Sequence, residues 1–127
     1  MNTSVSASDF DIVIAGGGMI GMSMALAIAS LNLRIAVVER VQRDQLQQPS
    51  FDDRSTALSR SSQSMFQALG LWDEILSAST PIQSIHVSDR GKFGFAHITA
   101  KEQNVEALGY VVINRILGEV LMLSLIH

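Results

Sequence analysis

The sequence predicts an α/β protein built on parallel strands joined by a helix, and three observations carry that prediction. A β-branched run, Phe10 to Ala15, ends at three consecutive glycines. A stretch from Met19 to Leu31, rich in Met, Ala, Leu and Ile, suits a helix and is closed by Asn32. A second apolar run, Arg34 to Glu39, follows directly. Strand, glycine turn, helix and strand within about thirty residues make one βαβ unit, with a right-handed crossover expected. The helix is apolar nearly all round, so both its faces are expected to be covered by other parts of the protein.

Composition narrows the possible functions. The chain has 127 residues, 47% of them apolar and 17% charged, below the roughly 25% usual in soluble domains. That length suits one domain. With no cysteine, a disulfide framework, a thiolate zinc site, an iron–sulfur cluster and a cysteine nucleophile are all excluded. The net charge of −3 argues against nucleic acid as a partner. The composition fits a reduced, cytoplasmic compartment. The uncharged stretch between Asp11 and Arg34 is long enough to raise a membrane span, and Gly17 and Gly21 have a spacing that packs membrane helices. Gly16, Gly17 and Gly18 oppose a continuous helix there, since each costs about 1 kcal/mol relative to Ala. No Lys or Arg precedes Arg34, which disfavours a secretory signal.

The turn Gly16-Gly17-Gly18-Met19-Ile20-Gly21 satisfies G-x-G-x-x-G, the fingerprint of a Rossmann-like dinucleotide site. In that reading Gly16 permits the tight turn, Gly18 lets a pyrophosphate approach the backbone, and Gly21 lets helix pack close to strand. Backbone amides at the helix start, with the positive end of its dipole, then bind the diphosphate. Ala25 keeps the next turn of that face small. Glu39, eighteen residues after Gly21 at the end of the second run, is placed to accept hydrogen bonds from an adenosine ribose. The fingerprint indicates an adenine dinucleotide and leaves FAD and NAD open.

Downstream, Ser55 to Gly70 reads as a helix with Leu58, Met65, Phe66 and Leu69 on its core face and Gly70 as its stop. Trp72 begins a short second helix, broken by Ser79-Thr80-Pro81. Ile82 to Val87 and Phe93 to Thr99 read as two strands joined by the turn Asp89-Arg90-Gly91-Lys92. His86 and His97 lie in those strands without a clustered carboxylate or third ligand and read as structural, so no metal site is expected. A last apolar helix begins at Asn114, with Ile116, Leu117, Val120 and Leu121 awaiting partners.

The segment Phe51-Asp52-Asp53-Arg54-Ser55-Thr56-Ala57-Leu58-Ser59 resembles the aspartate-x-arginine-x-x-alanine-leucine segment of the ubiquinone-biosynthesis FAD-dependent aromatic hydroxylases. Ile85 to Gly91 followed by Phe93-Gly94, and Leu108 to Val112, are similar to further segments of that family, so the resemblance runs from about Phe10 to Leu121. It implies FAD as the bound cofactor and NADPH or NADH as its reductant. Oxygen would be the co-substrate and an electron-rich prenylated phenol the molecule hydroxylated. It also implies peripheral contact with the inner membrane or a ubiquinone-biosynthesis complex. Arg54 is expected along the flavin, against the alternative of a surface salt bridge to Asp52 or Asp53. Asn114 is expected as a polar contact to FAD or as a plain helix N-cap, and the family more often has an acidic residue where Ile113 stands. Arg40 covers the adenine or is simply solvated. No catalytic acid or base is evident.

On this reading the fold is a Rossmann-like FAD-binding βαβ unit with the start of a substrate-side β-sheet, incomplete. Residues 1–9 form a disordered tail, and 10–81 the FAD-binding unit with its following helices. Residues 82–100 form the substrate-side hairpin, and 101–122 return to the FAD-binding region. The family places an aspartate–glycine and a glycine–aspartate pair against the flavin in segments that do not occur in these 127 residues. The expectation is therefore an N-terminal fragment that is inactive alone. Leu123 to His127 reads like a translated sequencing adapter, an artefactual tail, with an ordinary helix end as the alternative.

Overall fold

The computed structural model describes residues 9–41 and 52–126. The expected N-terminal tail, apart from Asp9, lies outside them, as do Phe51 and His127. The chain divides into two compact units, one formed by residues up to Asp53 together with those from Asn114 onward, the other by Arg54–Ile113.

In the first unit, β1 (Ile12–Ala15) and β2 (Ile35–Val38) pair in parallel, in register from Ile12↔Ile35 to Ala15↔Val38. Helix α1 (Met19–Ile28) connects them, continues as a 3-10 turn over Ala29–Leu31, and ends at Asn32 in the left-handed conformation, φ 56°. A short side chain that can hydrogen-bond its own backbone makes Asn the residue other than Gly that tolerates this cap. Asp11 and Arg34, each at the entrance to its strand, clamp the pair. The Asp11 carboxylate accepts from the Arg34 backbone N–H (2.8 Å), Nε (3.2 Å) and Nη2 (3.0 Å), while Asp11 N–H donates to the Arg34 carbonyl (2.9 Å). The Arg34 side-chain hydrogen bond, more than its charge alone, lowers the Asp11 pKa to about 2.

Helix α4 (Asn114–Ile126) packs against α1. Met22 and Ala25 of α1 and Leu117, Val120 and Leu121 of α4 are buried. The expectation that α1 is covered on both faces is not met within the described residues. Ile20 is 88% exposed and Met24 is also exposed, because among the described residues the helix is packed mainly by β1, β2, α4 and the 3-10 turn that continues it.

The second unit has a three-stranded antiparallel sheet in the order β3 (Ser55–Ser59), β7 (Gly109–Ile113), β4 (Ser79–Ile82). A separate hairpin consists of β5 (Ser84–Ser88) and β6 (Phe95–Thr99). Helices α2 (Arg60–Ala68) and α3 (Trp72–Ser77) complete it. Its core gathers Leu58, Phe66, Trp72, Ile75, Tyr110 and Val112. Trp72 meets Tyr110 edge-on, ring centroids 4.9 Å apart at 74°, the arrangement favoured by the ring quadrupoles.

Four readings of this unit are corrected. Ser55–Ser59 is a strand and not the first turn of a helix, because pairing with β7 places Leu58 opposite Tyr110 on a buried face. The helix starts only after Ser59, whose hydroxyl accepts from the Ser62 N–H at 3.2 Å. Met65, expected in the core, is 40% exposed while its neighbour Phe66 is buried, since so short a helix buries one narrow stripe. Ser79-Thr80-Pro81 is not a break but most of β4, and Pro81 is tolerated there because β4 is an edge strand. The expected strand from Ile82 to Val87 is divided at Gln83, whose carbonyl accepts from Ala100 N–H at 2.8 Å. Gly70 ends α2 with φ +72°, the stop read from the sequence.

Candidate functional site

The glycine turn sits where β1 hands over to α1, and each of its residues is held differently. Gly16 N–H donates to the Val38 carbonyl at 2.7 Å, tying the turn to the end of β2. With φ +108°, Gly16 occupies backbone space closed to other residues. Gly17 N–H donates to Glu39 Oε2 at 2.7 Å. Gly18 is extended, φ −75° and ψ −175°, and forms the N-cap of α1 without a side-chain hydrogen bond. A Cβ on Gly21 would collide with the Gly16 carbonyl oxygen and lie 3.3 Å from Ile14 Cγ2, so the helix rests directly on the strand and turn.

The first turn of α1 contains no acidic residue. The Met22 N–H already bonds the Gly18 carbonyl at 3.0 Å, which leaves the amides of Met19, Ile20 and Gly21 without partners inside the helix. Glu39 closes the other side. Its Oε1 accepts from Val41 N–H at 2.9 Å while Oε2 holds Gly17, so the carboxylate is oriented by two backbone donors although it is exposed. Arg40 is exposed beside it. A cleft of about 360 Å³ opens next to Gly17 and Glu39, walled by Ala25, Val37, Met122 and Leu125 among others.

The structure therefore brings Gly16, Gly17, Gly18, Met19, Ile20, Gly21 and Glu39 together. Asn114 lies in the same unit at the start of α4, 7% exposed, where its Nδ2 donates to Asp52 Oδ1 at 3.3 Å. The Arg115 N–H donates to the Asp52 carbonyl at 3.0 Å, and the Arg115 guanidinium reaches Asp53 and Glu119, each at 3.2 Å. The hydrogen bond that Arg115 donates to Asp53, then the one it donates to Glu119, raises the Arg115 pKa. Arg54 is exposed and belongs to the second unit, immediately before β3. Asp53, one of its expected ion-pair partners, is instead engaged by Arg115.

Sequence reasoning did not single out the Asp11–Arg34 clamp, although the two residues bounding the uncharged stretch were a usable signal. The Asp52–Asn114 contact joins residues 62 apart and leaves no local trace in the sequence. Among the described residues, no three His, Cys, Asp or Glu gather to hold a metal, and no helix is long and apolar enough to cross a membrane.

A glycine turn between a parallel strand and an uncapped helix, closed by an acid from the next strand, defines the dinucleotide-binding class of α/β proteins. Comparison with known proteins narrows the class. The family described as FAD binding domain matches residues 9–121. The chain belongs to this family, whose cofactor is FAD. It is similar to the ubiquinone hydroxylase UbiL of Rhodospirillum rubrum, 31% identical over 115 residues, covering 91% of this chain and 27% of that protein. It is 30% identical to 3-demethoxyubiquinol 3-hydroxylase of Escherichia coli over 119 residues, 91% of this chain and 30% of that protein. In fold it is similar to the flavin-dependent monooxygenase PieE, solved with FAD and substrate. The TM-score is 0.67 at 18% identity, over 91% of this chain and 21% of that one. The chain thus spans about a quarter of the length of the curated relatives it matches.

Proposed function

We propose that this chain is the N-terminal FAD-binding portion of a flavin-dependent monooxygenase that hydroxylates a prenylated phenol in ubiquinone biosynthesis, with NADPH or NADH as reductant and O2 as co-substrate. The observation that carries the reading is the Gly17–Glu39 hydrogen bond beside an uncapped α1 start. Gly18 and the amides of Met19, Ile20 and Gly21 would receive the FAD diphosphate, which supplies the acceptors the helix lacks, with Gly17 lining the turn while bonded to Glu39. Glu39, held by Gly17 and Val41, would present its carboxylate to the adenosine ribose. Arg40 would lie toward the adenine, and Arg54 and Asn114 would approach the flavin side.

When bound, FAD supplies the redox and oxygen chemistry, and the protein contributes binding and orientation. The substrate we infer is similar to that of 2-octaprenyl-6-methoxyphenol hydroxylase, whose sequence pattern the segments around Arg54 and His86 resemble. A prenylated substrate partitions into lipid, so contact with the inner-membrane surface or with other proteins of the same biosynthesis is part of the proposal.

Titration of the chain with FAD tests the cofactor site, read by quenching of flavin or Trp72 fluorescence. Saturable one-to-one binding is expected, and no binding at millimolar FAD would overturn the site. Disruption of the gene in its host tests the activity. Ubiquinone should fall and a prenylated phenol accumulate; normal ubiquinone would overturn the substrate class.

A further inference from the structure

We propose that the β5–β6 hairpin carries a two-histidine site for a late first-row divalent cation, with His86 and His97 as its protein ligands. Directly opposed residues of an antiparallel pair place their Cβ atoms roughly 5 Å apart on one face. His86 and His97 are such a pair, and their ring centroids lie 6.2 Å apart. With metal–nitrogen bonds of about 2.1 Å, two imidazoles on one ion keep their centroids roughly 5–6 Å apart. Both residues are exposed, so a modest rotation of the His97 ring closes the remaining gap.

The surroundings favour chelation. Phe95 stacks on His86, centroids 5.3 Å apart and 26° between planes, which restrains that ring. The neighbouring pairs on the same face, Ser84↔Thr99 and Ser88↔Phe95, bring no charged side chain. Two imidazoles without a carboxylate suit copper(II), nickel(II) or zinc(II), copper binding tightest, and not calcium or magnesium. Water would fill the other positions, since no third protein ligand clusters among the described residues. The ion would also link two strands that are exposed along nearly their whole length, a hairpin of the kind that is marginal alone. This inference is independent of the flavin reading.

The sequence makes the test clean, because it contains no cysteine and only His86, His97 and His127. The tag-free chain is titrated with copper(II), followed by calorimetry and by the nitrogen couplings in its electron paramagnetic resonance spectrum. One equivalent is expected to bind with a micromolar dissociation constant. His86→Ala and His97→Ala should each weaken it at least tenfold, and His127→Ala should leave it unchanged. Copper should slow amide exchange across β5 and β6 in the parent chain and not in His86→Ala. Absence of binding, binding that survives the His86/His97 double substitution, or binding lost with His127 alone would overturn the site.

Discussion

Helices α1 and α2 both follow a strand, α1 after a three-glycine turn and α2 directly, yet their first turns are finished in opposite ways. Ser59 caps α2 by accepting from Ser62 N–H, and that helix needs nothing further. Gly18 caps α1 with no side chain at all. The other helix starts also draw on this chain's own groups. Asp73 and Glu74 stand in the first turn of α3, and Asp52 accepts from Arg115 at the start of α4. Glycine in place of a capping side chain costs roughly a few tenths of a kcal/mol. Leu71 caps α3 without a side-chain hydrogen bond as well, but only at α1 do Glu39 and three glycines also converge. An unfinished helix end next to an oriented acid is a preference for a ligand, whereas a finished one is a preference for the fold.

The largest effect should come from adding a side chain at the unfinished end. Gly18 is in extended backbone, which valine adopts readily, so Gly18→Val is expected to fold, losing about 1 kcal/mol at the helix cap. It is also expected to bind FAD at least a hundredfold more weakly by flavin titration. Gly16→Ala makes the informative control, because φ +108° strains any side chain and both stability and binding should fall. Equal FAD affinity in Gly18→Val and the parent would remove the distinction between the two helix starts.

A smaller loss is expected at the acid. Glu39→Ala removes an acceptor for Gly17 and Val41 as well as the proposed ribose contact. FAD affinity should drop by about 1–3 kcal/mol, the range for a hydrogen bond to a charged group or a stranded donor. Smaller again is Ser59→Ala, which strips the cap from α2. Stability should fall by about 1 kcal/mol in urea unfolding followed by Trp72 fluorescence, with FAD affinity untouched. A change in FAD affinity there would mean that the cap also serves the ligand.

The βαβ unit was legible in the sequence because its signals are local: a β-branched run, a glycine cluster, and an acid at a fixed distance. The left-handed Asn32 and the Gly70 stop were readable for the same reason. What escaped is decided at long range. Ser55–Ser59 has no strong strand composition and becomes a strand through β7, which puts Leu58 against Tyr110. Pro81 looks like a breaker until its strand is known to lie at a sheet edge. Asn114 reads as an N-cap by type, while its amide in fact reaches Asp52 far back in the chain. Within the candidate site, the glycines and Glu39 could be found from spacing; the double anchoring of the Glu39 carboxylate could not.

The smallest expected effect concerns the opposite ends of the same strands. Asp11 and Arg34 join β1 to β2 where the chain enters them, and Gly16 and Glu39 act where it leaves. The Asp11 pKa of about 2 is set first by the Arg34 side-chain hydrogen bond and lies below the value of roughly 3.9 for an unfolded aspartate. A group depressed on folding contributes stability that is present in full above its unfolded pKa and lost as pH falls through its folded one. Asp11→Asn should therefore be slightly less stable than the parent at neutral pH, with the gap closing between about pH 4 and pH 2. The pair is exposed, so solvent screening keeps the difference small and added salt should shrink it further. Urea midpoints by far-UV circular dichroism across that pH range provide the check. A gap that persists unchanged at pH 2 would show that Asp11 acts through its neutral hydrogen bonds alone and that its charge does not help hold the two strands.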